Sequence, residues 1–268
     1  MIFLKFWVSI LVVLRVAHPA SAQTSHQLGA EVGWQRYLTH EPILSPLRYG
    51  GAYLTMRLSY AYISDQHIHQ GQIARGTGEL ASSITDTNEW GQHHYLDFLS
   101  WQLQYTYLRR IRAFSRIWLY GGGTLQAAYF SKELTYLLDY DGRSADVFIA
   151  PATTLAMSTN AHQKHQVRGL ISIAPLAYVA ARTYAGNRPP LSLLDKELTV
   201  VNALRYGDLL AIPRFVHVRG ELAYQYHFAS HWSAYLTYQW QHYSYDKLDP
   251  FAVRSVVHTL FTGISVHL

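Results

Sequence analysis

The chain contains no cysteine, few charged residues and no long apolar run beyond its first residues. Only 15% of its 268 residues are charged, whereas soluble domains average about 25%. With 49% hydrophobic residues, this balance excludes an intrinsically disordered chain, which needs low hydrophobicity and high charge. After residue 22 no window of about 20 predominantly apolar residues exists, so a helical membrane protein is excluded as well. Without disulfides, the stability of the fold must come from other contacts.

The first 22 residues have the pattern of a secretory signal peptide. Lys5 supplies the positive charge, a stretch of nine residues that is apolar but for one serine follows, and Pro19 precedes a small-x-small cleavage site ending at Ala22. An uncleaved anchor is the alternative, but nine residues span only about half of a ~30 Å hydrocarbon core. We therefore expect cleavage after Ala22 and one mature domain, 23–268.

Nucleic acid is not an expected partner of the mature chain. Removal of the leader takes away two cations and leaves 20 basic against 17 acidic residues, a net charge of +3. No run of Lys and Arg interleaved with aromatic residues occurs, and such a run is what nucleic-acid binding requires.

Alternation of apolar and polar residues with period two recurs along the mature chain. It is clearest over Ala52–Tyr62, Phe215–Phe228 and Trp232–Gln241. A helix would place residues i and i+2 about 200° apart and scatter these sets, so the pattern predicts strands. Strands of 9–11 residues or more are typical of a tilted membrane-spanning sheet, whereas globular strands average about 5–6. We predict strands near 27–37, 50–63, 67–76, 92–108, 116–131, 145–158, 166–181, 213–228, 231–245 and 252–268.

The connections between these strands alternate in length. Those at 110–115, 159–165 and 229–230 are short, whereas 132–144 and 182–212 are longer. Short periplasmic turns that alternate with longer external loops, and an even number of strands, are typical of bacterial outer-membrane barrels. Ten strands satisfy this rhythm. Eight or twelve stay open, because the segment from Ser64 to Gly91 is weakly patterned.

Period two alone does not decide which face of a barrel is apolar, so a soluble barrel or β-sandwich is the alternative. The polar face here is rich in Gln, Ser, Thr, Tyr and His and poor in Lys and Glu, whereas strands that face water usually need charge. Trp232 and Trp240 share a face and lie about 20 Å apart in height, close to the ~25 Å apolar band between aromatic girdles. The sequence therefore predicts an all-β fold, a transmembrane antiparallel up-and-down barrel.

The final segment, Leu260–Leu268, alternates apolar residues up to the last position. It resembles the terminal strand of Gram-negative outer-membrane β-barrels, whose usual last residue is Phe or Trp where this chain has Leu268. The resemblance implies location in the outer membrane, contact with its lipid and lipopolysaccharide, and recognition of the last strand by the barrel assembly machinery.

A ten-strand barrel is narrow, so its lumen should be filled by side chains rather than form a wide channel. Arg57, Arg168 and Arg219 lie within predicted strands, and an arginine on the lipid face at midplane costs about 2–4 kcal/mol. We therefore expect these arginines to face the lumen and to form a polar network with Glu221.

His242-Tyr243-Ser244 is the strongest candidate for catalytic chemistry. His242 and Ser244 lie two and four residues after Trp240, so in a strand their side chains point to the same side as Trp240, toward lipid. The motif resembles the H-x-S of outer-membrane lipid A deacylases of the PagL type. This implies a histidine base, a serine nucleophile and an acid, here Asp246 or Asp249. The family's Asn after the serine is Tyr245 here, and no Glu follows Ser244. The alternative interpretation is an interfacial aromatic belt.

No cofactor or metal site is predicted. The pair His67 and His69 could share a face and bind a metal, but a third ligand is not fixed, and histidines at the rim in water are the favoured interpretation. Gly121-Gly-Gly123 lacks the residues of a phosphate loop and indicates a kink or a close approach. We expect a non-enzymatic barrel that serves envelope structure, surface binding or restricted passage of small solutes, with a lipid A ester hydrolase as the alternative.

Overall fold

The computed structural model describes residues 24–42, 44, 47–82, 95–114, 117–136, 140–159, 164–185, 207–248 and 251–268. The predicted leader, Met1–Ala22, lies outside these residues. Every regular element in the described part of the chain is a β-strand. No helix in these segments is both long and apolar enough to cross a membrane.

Twelve strands form one antiparallel sheet that closes on itself. Their bounds are β1 Ser25–His40, β2 Arg48–Ile63, β3 His67–Ser82, β4 Tyr95–Ala113, β5 Ile117–Tyr136, β6 Tyr140–Thr159, β7 His165–Ala174, β8 Leu176–Ala185, β9 Asp208–Ala211, β10 Phe215–His227, β11 Trp232–Leu248 and β12 Phe251–His267.

The closed ring contains ten strands, as the sequence predicts: β1 to β7 and β10 to β12. Pairing of β1 with β12 joins the two ends of the chain and closes the ring. The short strands β8 and β9 continue β7 and β10 beyond Pro175 and Pro213. β8 pairs with β6, and β9 pairs with β8. Proline has no N–H to donate to a ladder, which accounts for the interruption of both strands at the same level.

The start of β1 and the end of β12 lie at one end of the barrel, here called the terminal end, and the opposite end is called the loop end. Short connections join strands at the terminal end, at 64–66, 114–116, 160–164 and 228–231. The prediction that 132–144 forms a loop is wrong, since β5 and β6 extend through Tyr136 and from Tyr140. Side chains in this segment still alternate between the two faces of the sheet, but several are charged rather than apolar. The sequence pattern therefore does not show that the segment is a strand.

The two faces of the sheet have opposite chemistry. Large apolar side chains such as Trp34, Leu54 and Met56 stand exposed on the outside, whereas polar residues such as Gln35, Arg57 and Gln239 are buried inside. A ladder of hydroxyl hydrogen bonds of 2.7–3.0 Å crosses four neighbouring strands inside the lumen, through Thr106, Thr124, Thr154 and Ser172. A closed sheet leaves no unpaired edge, and its apolar outer face is suited to hydrocarbon.

Aromatic residues border the exposed apolar face at both ends. Trp34, Trp101, Tyr238 and Trp240 lie on the outside toward the loop end. Toward the terminal end, His26 contacts Tyr60 and Tyr62, and similar histidine–tyrosine contacts follow on β3 and β4. Such girdles are typical of the two interfaces of a transmembrane barrel.

Glycine is required where strands approach closely. A Cβ on Gly122 would lie 2.0 Å from the carbonyl oxygen of Tyr107 and 2.9 Å from the Cα of Leu108 on the neighbouring strand. The close approach expected for Gly121–Gly123 therefore involves the backbone of β4 rather than a residue that fills the lumen.

Candidate functional site in the barrel lumen

A layer of paired charges crosses the middle of the lumen. Arg57 donates to both carboxylate oxygens of Glu31, and Arg219 donates to Glu221. Glu221 lies 3.6 Å from Nη1 of Arg57 and 3.5 Å from Nη2 of Arg168. The structure thus brings together the four predicted residues and adds Glu31. We call these five residues the arginine layer.

The arginine layer holds three guanidinium groups and two carboxylates, and glutamines supply further partners. The side-chain oxygen of Gln239 accepts hydrogen bonds from Arg57 at 3.3 Å and from Arg219 at 3.2 Å, and Gln72 accepts one from Arg219 at 3.4 Å. Arg57 and Arg219 are only 4% and 2% exposed. Ions buried this deeply are tolerated only with such partners, because an unpaired buried charge costs several kcal/mol.

A cavity of about 410 Å³ lies between the arginine layer and the terminal end. We call it the vestibule. Its walls are mostly amide, hydroxyl and aromatic side chains, and Glu31, Arg57, Arg168 and Glu221 form its floor. Representative lining residues are Gln27, Ser59, Gln70, Tyr120, Gln225 and His267. Because strand ends at the terminal end also line the cavity, the vestibule opens there.

The loop-end half of the lumen is filled by aromatic rings. Phe130 stacks on Tyr243 with their centroids 5.3 Å apart, and Phe148 lies 5.7 Å from Tyr243. On the opposite wall Tyr37 packs on Phe98 at 4.5 Å and is hydrogen-bonded to the hydroxyl of Tyr243. These rings come from five strands and meet across the lumen. We call these five residues the aromatic plug.

An ion cluster lies beside the aromatic plug. Lys132 Nζ lies 2.8 Å from a carboxylate oxygen of Glu41 and 2.9 Å from one of Asp146, and Ser144 donates to Glu41 at 2.6 Å. Lys132 and Asp146 are 1% exposed. Glu41 belongs to the connection after β1, which also places Leu44 in the core. This connection is therefore folded into the loop-end mouth of the barrel.

His242, Ser244 and Asp246 lie on the outer face of β11, while Tyr243 between them points into the lumen. The outward neighbours of His242 in register are Val218 and Val256. Among the described residues no side-chain hydrogen bond or ion pair joins His242, Ser244 and Asp246. The other candidate acid, at position 249, lies outside the described residues.

The outward histidines of β3 are held by tyrosines. Nδ1 of His67 lies 3.0 Å from the hydroxyl of Tyr107, and Nδ1 of His69 lies 2.8 Å from that of Tyr105. Across the segments described, no group of three or more His, Cys, Asp or Glu is arranged to hold a metal ion. The contacts of His67 and His69 with tyrosines form part of the aromatic girdle at the terminal end.

No family model and no curated protein sequence matches the chain, so its similarities are to solved structures. The outer membrane protease OmpT from Escherichia coli matches at a TM-score of 0.55 and 8% identity, over 94% of this chain and 99% of OmpT. The chain is similar in fold to an outer-membrane barrel.

Two Neisserial proteins match less well than OmpT. The translocator domain of the autotransporter NalP from Neisseria meningitidis has a TM-score of 0.45 at 9% identity, over 98% of this chain and 94% of that domain. Neisserial surface protein A has a TM-score of 0.37 at 10% identity, over 91% and 97% of the two chains. Only the OmpT comparison is close enough to bear on the fold, and at 8% identity it bears on nothing else.

Sequence reasoning missed Glu31, Lys132, Glu41 and Asp146. Glu31 carries a detectable signal, since it alternates with the outward residues Ala30 and Val32 and must face inward. The other three have no local signal, because their partners are on different strands and on a connecting segment.

Proposed function

We propose that the chain is an integral outer-membrane β-barrel whose lumen is closed to solutes and that works as a structural or binding protein of the envelope. The observation that carries this proposal is the division of the lumen. The aromatic plug and the Lys132 cluster fill the loop-end half, the arginine layer crosses the middle, and the vestibule between that layer and the terminal end is hollow. A barrel blocked at two levels does not serve as a porin.

Several features support the outer membrane as its location. The outer face is apolar between two aromatic girdles, the fold is similar to that of OmpT, and the sequence begins with a leader pattern. We infer that the terminal end faces the periplasm, since the first strand begins and the last strand ends there, while the longest connection, 186–207, joins strands at the loop end. The last strand, β12, which is followed by Leu268 and pairs with β1, is our candidate for recognition by the assembly machinery.

The vestibule is the proposed binding cavity, and it would take a small polar solute from the periplasm. Its floor carries the guanidinium groups of Arg57 and Arg168 beside the carboxylates of Glu31 and Glu221, and Arg168 reaches it 19% exposed with one contact of 3.5 Å to Glu221. Amides and hydroxyls on the walls can donate and accept hydrogen bonds. Proteolysis, the activity in the name of OmpT, is not proposed for this chain, because a likeness at 8% identity extends to the fold alone.

The purified protein should not conduct ions in planar lipid bilayers. The physical reason is that the aromatic plug and the arginine layer leave no continuous water path through the lumen. Single-channel recording at both polarities measures this, with a known open porin added to the same bilayer as a positive control. Regular conductance steps from correctly folded protein would contradict the proposed closed lumen.

A second candidate function is ester hydrolysis at the outer leaflet, favoured by the outward direction of His242 and Ser244. A base without an orienting carboxylate is a poor catalyst, and both register neighbours of His242 are valines. We therefore expect Ser244→Ala to leave the acyl pattern of lipid A unchanged in a Gram-negative host, as measured by mass spectrometry.

Thr262→Ala removes another outward hydroxyl and is the matched control for Ser244→Ala. If wild type and Thr262→Ala remove an acyl chain from lipid A and Ser244→Ala does not, the hydrolase replaces the structural role as the proposed function.

A further inference from the structure

Four arginines stand on the outer face of the barrel at its loop end. Arg36 is on β1, Arg48 begins β2, Arg254 is on β12 and Arg214 precedes β10; all four are exposed. With β11 between β10 and β12, they cover five adjacent strands. We call these four residues the basic patch. None of them takes part in the lumen networks.

The strand register places members of the patch close together. Arg48 and Arg254 both pair with His40, one from each side. Since neighbouring strands lie about 4.8 Å apart, the two arginines flank His40 with their Cα atoms roughly 10 Å apart. Arg254 also pairs with Ser244 on β11. Two or more guanidinium groups can therefore reach the same ligand from this surface.

The patch lacks matching carboxylates. Among the described residues none of its four arginines forms an ion pair, and Arg214 only donates to the backbone oxygen of Asp246 at 3.3 Å. On the described outer faces of β1, β2, β10, β11 and β12, Asp246 is the one acidic residue. The outer face of β3 to β5 has the opposite sign at this end, with Glu79, Asp97 and Glu133 exposed. Among the side chains that the structure describes at this end, exposed arginines thus lie on the side formed by β10, β12, β1 and β2 and not on β3 to β5.

The patch lies where lipid headgroups are expected. Arg36 comes two residues after Trp34 and pairs with His258, which in turn pairs with Trp240 of the aromatic girdle. Below this level the outer face is apolar, so the arginines stand at the border of hydrocarbon and can extend their side chains toward the interface. The planar guanidinium group binds phosphate oxygens in a bidentate manner.

We propose that the basic patch binds the phosphate groups of a phosphorylated lipid in the leaflet at the loop end. The lipid's acyl chains lie along the apolar wall below, and Arg48 and Arg254, which flank His40, are its main contacts. This inference rests on the outer-membrane location proposed above, where that leaflet carries phosphorylated glycolipid. The inference assigns the expected contact with outer-membrane lipid to one side of the barrel.

Native mass spectrometry of the folded barrel in detergent can test this site. The protein is titrated with bisphosphorylated lipid A and, separately, with the same lipid after removal of both phosphates. We expect the wild type to retain the phosphorylated lipid about tenfold more strongly, and Arg48→Gln with Arg254→Gln to abolish that preference. Arg75→Gln is the matched control, since Arg75 is an outward arginine of β3 that lies 5.2 Å over Trp101 and outside the patch.

Folding of each variant is verified by its migration on gels before and after heating. If the double variant does not fold, the single variants Arg48→Gln and Arg254→Gln are each expected to lose part of the preference. Equal retention of the two lipids by the wild type, or an unchanged preference in the patch variants, would overturn the site. Conduction is measured separately, so a barrel that conducts but still selects the phosphorylated lipid refutes the closed lumen and retains the lipid site.

Discussion

A cysteine at position 59 is expected to react fully with a water-soluble maleimide, whereas a cysteine at position 255 is expected not to react. Ser59 lines the vestibule, and Ser255 is 1% exposed beside the aromatic plug, where the hydroxyl of Tyr37 donates to it at 3.2 Å. The chain has no cysteine of its own, so each variant carries a single thiol. Serine to cysteine is also a small change in volume at both positions.

Labelling of the folded protein in detergent micelles, followed by mass spectrometry, measures the difference. Unfolding in urea should make both thiols reactive, which controls for the chemistry of each position. In intact cells Ser59→Cys should react only after the outer membrane is permeabilised, because the vestibule opens at the proposed periplasmic end. Rapid labelling of Ser255→Cys in the folded barrel would mean that water passes the plug, and the closed lumen would be wrong.

Replacement of Lys132 by methionine is expected to lower the free energy of unfolding by about 3–5 kcal/mol. Lys132 is 1% exposed and is the cation between Glu41 and Asp146. Its removal leaves two buried carboxylates that repel each other and have lost their counter-charge. Urea-induced unfolding in phospholipid vesicles, followed by tryptophan fluorescence, measures the change.

Lys164→Met is the matched control, since Lys164 is exposed in the connection before β7 and its loss should have little effect. Adding Glu41→Gln and Asp146→Asn to Lys132→Met removes the repulsion and should restore most of the lost stability. A Lys132→Met protein as stable as the wild type would show that the cluster does not hold the connection after β1 in the lumen.

The sequence was most informative where a local pattern has one physical cause. Alternation over Ala52–Tyr62 predicted a strand because successive side chains of a strand point to opposite faces. The same parity predicted that Arg57, Arg168 and Arg219 share the lumen with Glu221, since arginine on the lipid face is costly. All four residues meet in the arginine layer.

Prediction failed where the outcome depended on contacts across the barrel. The segment 132–144 was expected to be a loop, because Lys132 and Glu133 interrupt the apolar face. In the folded chain Lys132 faces Glu41 and Asp146 from other parts of the chain, so a charged residue occupies an inward position of a continuing strand. Such a pairing between residues 91 positions apart leaves no trace in a local window.

The sequence by itself indicated a barrel of strands and which face of each one meets lipid, because these properties follow from alternation and from the cost of charge in hydrocarbon. The tertiary structure alone decided that the ring has ten strands and which side chains fill the lumen. Phe130, Phe148 and Tyr243 are far apart in the chain, and only the curvature and register of the closed sheet bring their rings into contact.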